Sequence, residues 1–196
     1  MNYLGHAYLS MGDVDLLCGN MIGDFVKGTK ALEQYPGAVR RGIELHRRID
    51  AFTDEHPAIA EAKIIFRPHY HLYAGPVIDT ILDHFIANDA DLFASEDALG
   101  VFASSTYAGL SSRSAFFPER FVPYFESMVQ HNWLLHYRSE EGLKRSLNGL
   151  MRRSKYIAEV ETAFALMRSN RQQLQTYYTE FMSDVIDFVK IEWKGR

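Results

Sequence analysis

Apolar residues recur at intervals of three and four along almost the whole chain, and no run alternates with the period of two that is typical of a β-strand. This spacing places apolar side chains on one side of a helix. It predicts an all-α fold, a single-domain multi-helix bundle over residues 1–196. The predicted helices span residues 3–11, 13–27, 36–53, 57–67, 76–93, 97–108, 118–137, 140–153 and 156–192, and residues 67–76 are predicted to form a loop.

The composition is that of a folded protein and excludes several classes of partner. The chain has 196 residues, 47% hydrophobic and 23% charged, which is enough for one sizeable core. Its net charge of −4 gives no general attraction to nucleic acid. The apolar runs are too short for a membrane span, no signal peptide is evident, and Cys18 is the only cysteine. We therefore expect a cytoplasmic protein without a membrane or nucleic-acid partner.

The helix predicted over residues 36–53 carries two polar residues on its apolar side. His46 and Asp50 are four residues apart and project between Val39 and Ile43, toward the expected interior. Burial of a carboxylate is costly unless it is paired or bound to a cation. Two interpretations are open: a hydrogen bond that satisfies a core histidine, or a metal or catalytic site.

A second polar group lies on the helix predicted over residues 76–93. Asp79, Asp83 and His84 share a face that contains no lysine or arginine. Two aspartates one turn apart repel each other unless a cation lies between them. The structural alternative is that Asp79 only interacts with the positive end of the helix dipole.

A third group of polar residues lies between residues 19 and 28. Asp24 lies on the apolar side of its predicted helix, with Asn20 one turn earlier. Gly19 and Gly23 weaken that helix but allow another backbone, or a ligand, to approach closely. The alternative is a simple helix-packing pair of glycines. His6 lies in an apolar stretch, where a satisfied core histidine is the alternative to a functional one.

These residue types indicate a metal-dependent hydrolase. Carboxylate and imidazole donors without cysteine suit Mn²⁺, Mg²⁺ or Fe better than a structural zinc site. A metal held in this way activates water for hydrolysis. Arg47 and Arg48 border Asp50, and arginine is well matched to phosphate oxygens. Arg40 and Arg41 lie on the outer face, where a solvated surface is the alternative.

Several motifs together resemble the acyl carrier protein phosphodiesterase family. They are MNYLGHAYLS at the start, GNMIGDFVKG at 19–28, GIELHRRIDAFTDEHP at 42–57, DTILDHF at 79–85 and LNGLMRR at 147–153. The resemblance implies an HD-phosphohydrolase-like fold. It also implies hydrolysis of holo acyl carrier protein to apo carrier protein and 4′-phosphopantetheine with a divalent metal, Mn²⁺ first and Mg²⁺ or Fe²⁺ as alternatives. The chain has no His-Asp dipeptide, and the reversed pair Asp83-His84 is its nearest equivalent.

The resemblance also implies a set of site residues. The expected metal ligands are Asp24, His46, Asp50, Asp83 and His84. His6 and Asp79 are expected to support the ligands or to transfer protons. Arg47 is expected to stabilise charge on the phosphate oxygens.

A holo carrier partner is acidic, so its docking surface should be basic. Residues 138–155 contain six lysines or arginines and two glutamates. The predicted partner-binding residues are Arg40, Arg41, Lys144, Arg145, Arg152 and Arg153. The alternative is an ordinary solvated helix of mixed charge.

Two other functions are open at this point. A metal-dependent phosphohydrolase acting on a small nucleotide or another phosphodiester would share the metal site but would not need a basic surface. A non-enzymatic helical binding protein would use the histidine and aspartate pairs only structurally. An oxygen-using di-iron protein is disfavoured because the sequence lacks Glu-x-x-His pairs.

Overall fold

The computed structural model describes residues 1–152 and 159–194, which form helices and loops without a β-strand. The α-helices are α1 (Tyr3–Tyr8), α2 (Val14–Ile22), α3 (Thr29–Leu32), α4 (Gly37–Glu55), α5 (Pro57–Tyr70), α6 (Ala74–Ala87), α7 (Glu96–Ser111), α8 (Val122–Gln130), α9 (Trp133–His136), α10 (Glu140–Arg152), α11 (Val160–Ser169) and α12 (Arg171–Lys194). Short 3₁₀ helices lie at Gly23–Phe25, His71–Tyr73 and Ser114–Phe116. The predicted all-α fold is confirmed, while its likeness to HD phosphohydrolases stays a prediction. Within the described ranges, no helix is long and apolar enough to cross a membrane.

Helices α2 and α4 pack backbone against backbone at two glycines. A Cβ atom on Gly19 would lie 2.0 Å from the carbonyl oxygen of Val39, and one on Gly42 would lie 2.3 Å from that of Leu16. Only glycine permits such an approach. The close backbone approach expected at Gly19 is confirmed. The contact sets the C-terminal end of α2 beside the middle of α4, where the candidate site lies.

The core is a continuous cluster of buried aliphatic and aromatic side chains. Its largest fully buried members include Tyr70, Tyr137, Tyr178, Phe66, Phe121 and Phe181. Helix α12 packs against α4, α5 and α6. The buried positions of α12 recur at helical spacing and include Leu174, Tyr178, Phe181, Val185 and Val189. The C-terminal helix therefore braces the helices that carry the site.

Several predicted boundaries are wrong, including the ends of the helices predicted over residues 13–27 and 76–93, which lie at Ile22 and Ala87. The first three residues of the helix predicted over residues 156–192 lie outside the described residues. The remainder is divided between α11 and α12 at Asn170, whose side-chain amide donates to the carbonyl of Leu166 at 2.8 Å and so competes with helix continuation. Residues 67–76 continue α5 through Pro68 and begin α6 rather than forming a loop. The helix predicted over residues 118–137 begins only at Val122 and is interrupted at Asn132, which has a left-handed backbone with φ of 44°.

Candidate metal centre

Two histidines and one aspartate meet between α1 and α4. His6 of α1 and His46 and Asp50 of α4 each present a ligand atom, and these atoms lie within 4.8 Å of one another. Nε2 of His6 is 3.2 Å from Oδ1 of Asp50, and Nε2 of His46 is 3.1 Å from Oδ2. The two imidazole rings stack with centroids 4.1 Å apart. In the part of the chain that the structure describes, this is the one cluster of such side chains with the spacing of a metal site.

Asn20 on α2 determines which nitrogen of each ring faces Asp50. Its side-chain oxygen accepts a hydrogen bond from Nδ1 of His6, and its backbone oxygen accepts one from Nδ1 of His46, both at 2.8 Å. The amide nitrogen donates to the carbonyl of His6 and to Oγ of Ser10, which fixes the orientation of the amide. Because both Nδ1 atoms are donors, Nε2 of each neutral ring carries a lone pair directed at Asp50.

Two lone pairs and a carboxylate that face one another repel, so the cluster requires a cation. Nε2 of His46 is buried and makes no hydrogen bond, although Asp50 is close. In the metal-free protein a proton is the available cation. Burial lowers the pKa of His46, but the carboxylates of Asp24 and Asp50 outweigh burial and raise it to about 9. Burial and the neighbouring His46 lower the pKa of His6.

The two acids of the site are ionised and reach solvent. Burial raises the pKa of Asp50, but the imidazoles of His46 and His6 more than reverse this and hold it well below its usual range. The neighbouring His46 likewise lowers the pKa of Asp24, whose Oδ1 is 3.8 Å from Nε2 of that ring. The side chains of Asp50 and Asp24 are 41% and 71% exposed, while both imidazoles are buried. The site is therefore closed on its imidazole side and open on its carboxylate side.

Gly23 makes room for the imidazole of His46. A Cβ atom at this position would lie 2.3 Å from Cγ of His46, closer than any real contact. Gly23 begins the 3₁₀ helix that carries Asp24. The second glycine singled out in the sequence therefore admits a candidate ligand rather than a helix backbone.

The donor set fits a divalent transition metal. Two imidazole nitrogens with one or two carboxylates, and no thiolate, are typical of catalytic sites that keep a coordination position open. Donation by the second ring nitrogen to a fixed oxygen is the usual support for a metal-bound histidine. Cys18 is buried elsewhere, with its sulfur 4.0 Å from the carbonyl of Arg113.

The structure does not bring Asp83 into this cluster. Asp83 is fully buried, and its carboxylate accepts hydrogen bonds from the first residues of the chain, the N–H groups of Asn2, Leu4 and Gly5. Burial raises the pKa of this carboxyl to about 7. Its contacts hold the start of α1, so Asp83 acts on the site through the helix that carries His6.

The other two polar residues of α6 also have partners away from the cluster. Oδ1 of Asp79 accepts a hydrogen bond from the amino group of Met1 at 2.7 Å. Nδ1 of His84 donates to the carbonyl of Tyr137 at 2.7 Å, and burial lowers the pKa of this histidine. Neither side chain belongs to the group formed by His6 and α4.

The arginines beside the site have structural partners. Nη2 of Arg47 donates to the carbonyl of Val26 at 2.8 Å and to that of Gly28 at 3.4 Å. Arg48 forms an ion pair with Glu192 of α12. The guanidinium of Arg47 therefore lies against the backbone that follows Asp24.

The basic residues predicted to contact a partner differ in their surroundings. Lys144 pairs with Glu161 at 3.0 Å, and Arg145 pairs with Glu141 at 3.4 Å. Three others have exposed side chains: Arg40, Arg41 and Arg152. Arg153 lies outside the described residues.

The sequence did not reveal the role of Asn20, and it indicated only a supporting role for His6. A buried amide on an apolar helix face must find hydrogen-bond partners, and this requirement was the available signal. The sequence does not show that the partners are two histidines from different helices. The structure groups His6 with His46 and Asp50 as a candidate ligand.

Comparison with known proteins identifies the family. The family model described as acyl carrier protein phosphodiesterase matches residues 1–185. The chain belongs to the acyl carrier protein phosphodiesterase family. The family predicted from the sequence motifs is thus confirmed. No solved structure matches the chain significantly.

Curated members of the acyl carrier protein phosphodiesterase family align with most of the chain. The chain is 33% identical to the enzyme of that name from Enterobacter sp. (strain 638) over 178 residues, 91% of this chain and 88% of the relative. It is 29% identical to the one from Photorhabdus laumondii over 181 residues, 92% and 87% of the two chains. With the one from Salmonella paratyphi A it shares 33% identity over 153 residues, 78% and 79% of the two chains.

Proposed function

We propose that this protein is a metal-dependent phosphodiesterase that hydrolyses holo acyl carrier protein to apo carrier protein and 4′-phosphopantetheine. Family membership and the names of the relatives support the reaction and the carrier protein substrate. Metal dependence rests on one observation. The Nε2 atoms of His6 and His46 converge on Asp50, and that of His46 is buried without a hydrogen-bond partner.

His6, His46 and Asp50 would hold the metal, and Asp24 would add a carboxylate on the solvent side. Mn²⁺ is the ion we propose, with Mg²⁺ and Fe²⁺ as alternatives, because the donors are nitrogen and oxygen only. When bound, such a metal polarises a phosphoryl oxygen and lowers the pKa of a coordinated water.

The side chains of the protein orient the candidate ligands and supply negative charge. Asn20 holds both imidazoles by their Nδ1 atoms, so that neither ring can rotate away from Asp50. Asp24 is ionised at neutral pH and exposed, which suits its carboxylate to complete the set of metal donors on the solvent side. The open carboxylate side of the site also suits a phosphodiester presented on the surface of another protein.

The proposal is tested by incubating the purified protein with holo acyl carrier protein and Mn²⁺. Mass spectrometry then measures the molecular mass of the carrier. We expect loss of the phosphopantetheine mass, arrest by a chelator and recovery with added Mn²⁺. His46→Gln should lower the rate by at least about a thousandfold, as loss of an essential group does. The control is His131→Gln, at the exposed end of α8, which should keep wild-type activity.

Two outcomes would reject parts of the proposal. A folded, metal-loaded protein that leaves the carrier intact rejects the carrier as substrate. Turnover of bis(p-nitrophenyl) phosphate by that same protein would then favour a phosphohydrolase acting on small diesters. Carrier hydrolysis that continues in excess chelator rejects metal dependence.

A further inference from the structure

The ammonium group of Lys27 lies on the open carboxylate side of the candidate metal centre. One atom, Oδ1 of Asp24, lies 3.6 Å from Nζ of Lys27 and 3.8 Å from Nε2 of His46. The Lys27 side chain is 79% exposed and belongs to the loop between the Gly23–Phe25 turn and α3. The exposed Lys27 ammonium therefore lies beside the carboxylate that faces His46, on the solvent side of the candidate metal centre.

Arg47 occupies a different position from Lys27. Its Nη2 atom bridges the carbonyls of Val26 and Gly28, the residues on either side of Lys27. The Arg47 side chain is therefore directed at the backbone of the loop. It ties that loop to α4 one residue beyond His46.

We propose that Lys27 is the cation that binds the phosphodiester oxygens of the substrate, and that Arg47 is a positioning residue that holds the Lys27 loop. The proposal deepens the phosphodiesterase function and rests on it for the identity of the substrate. It reassigns to Lys27 the contact with phosphate that the sequence suggested for Arg47.

The relative strength of the existing contacts decides between the two cations. The pair of Lys27 with Asp24 is between exposed side chains, and such pairs contribute little and exchange readily. Withdrawing Arg47 would instead leave the carbonyls of Val26 and Gly28 without their charged donor. Lys27 can thus turn from Asp24 to a phosphate oxygen at small cost. Its flexible stem and compact charge suit this movement.

The first experiment measures phosphate binding without turnover. Inorganic phosphate is titrated by calorimetry into the Mn²⁺-loaded wild type and into four variants: Lys27→Met, Lys27→Arg, Lys30→Met and Arg47→Met. We expect Lys27→Met to weaken phosphate binding by about tenfold and Lys27→Arg to restore most of it, because the charge is retained. The matched control is Lys30→Met, an exposed lysine one turn further along, which should bind phosphate as the wild type does.

The second experiment separates Arg47 from Lys27. We expect Arg47→Met to accelerate tryptic cleavage after Lys27 and Lys30 by about tenfold, because the loop loses its tie to α4. Arg47→Lys should not restore protection, since one ammonium cannot bridge both carbonyls as a guanidinium does.

With holo carrier, Lys27→Met should lower kcat/KM by about a hundredfold, while Lys27→Arg should recover most of the loss.

The outcomes that overturn the proposal are specific. Equal weakening of phosphate binding by Lys27→Met and Lys30→Met would show only a general charge effect. Lost phosphate binding in Arg47→Met, with tryptic cleavage as in the wild type, would make Arg47 the phosphate ligand. If the wild type leaves holo carrier intact while the phosphate results hold, the proposed substrate fails and the assignment of Lys27 stands.

Discussion

The side-chain oxygen of Asn20 lies 2.8 Å from Nδ1 of His6, and this contact decides which nitrogen of the ring faces Asp50. Without the amide, the ring could rotate or change tautomer, and the lone pair on Nε2 would no longer be fixed. A residue that does not touch the proposed metal therefore sets the geometry of two of its candidate ligands.

Asn20→Leu should weaken Mn²⁺ binding by about 10- to 100-fold, the usual effect of removing support from a metal-bound histidine. It should also lower the free energy of unfolding by about 2 kcal/mol, because buried partners lose their hydrogen bonds. Calorimetry and urea unfolding measure the two effects. Asn170→Ala, which removes a side-chain hydrogen bond to the carbonyl of Leu166 at the end of α11, should lower stability but leave Mn²⁺ affinity unchanged. Wild-type Mn²⁺ affinity in Asn20→Leu would contradict the role of Asn20.

Gly23→Ala should displace His46, since its added methyl group would lie 2.3 Å from Cγ of the imidazole. We expect a loss of about 1–3 kcal/mol in unfolding free energy, as for other overpacked sites, together with weaker Mn²⁺ binding. The control is Gly100→Ala in α7, where an added Cβ meets nothing within 4 Å. That variant should gain up to about 1 kcal/mol from helix propensity. If the two variants behave alike, the steric argument for Gly23 is refuted.

The pKa of His46 predicts how stability depends on pH in the metal-free protein. The folded pKa of about 9 lies above the ordinary value of 6.5, so protonation of His46 stabilises the folded state. This contribution is complete below pH 6.5, declines as pH rises and is absent above pH 9. Wild-type protein in chelator should therefore lose stability relative to His46→Gln across that interval. Urea unfolding at several pH values checks this, and identical pH profiles would show that His46 is not charged at neutral pH.

The sequence predicted most of the helices because burial of an apolar side repeats with the helical period. It also predicted that His46, Asp50 and Asp24 belong to one polar site, since polar residues on apolar faces require compensation. It did not predict the helix interruptions at Asn132 and Asn170, which separate α9 and α12 from the helices before them. Apolar periodicity does not register such local interruptions.

The sequence could not assign the polar residues of α6, because periodicity does not identify the partner of a buried group. Asp83 lies beside His84 and one turn from Asp79, as a metal ligand could. Its oxygens nevertheless accept hydrogen bonds from the start of α1. From the sequence, His6 was either a satisfied core histidine or a group that supports the metal ligands, and the fold places its Nε2 atom 3.2 Å from Oδ1 of Asp50. Contacts between residues far apart in the sequence decide both cases.

Asp83→Asn tests whether Asp83 supports the fold rather than the metal. One oxygen would become an NH₂ group that faces a backbone N–H, so we expect a loss of about 2 kcal/mol in unfolding free energy. Mn²⁺ affinity should fall less than about tenfold, because Asp83 is not in the ligand cluster. His46→Gln should show the opposite pattern, with lost Mn²⁺ binding. Abolished Mn²⁺ binding in a folded Asp83→Asn protein would restore the ligand role that the sequence suggested.

Exposed arginines on α4 should contribute more to docking of an acidic carrier than the paired residues of α10. Arg40 and Arg41 are exposed on the helix that carries the site, whereas Arg145 is already paired with Glu141. Arg40→Glu combined with Arg41→Glu should lower kcat/KM for holo carrier by about tenfold at low salt, and Arg145→Glu by less than about threefold. The difference should shrink at high salt because exposed charges are screened. Steady-state kinetics at two ionic strengths measure this. A defect of the same size at both would mean that the arginines act in folding or catalysis and do not attract the carrier.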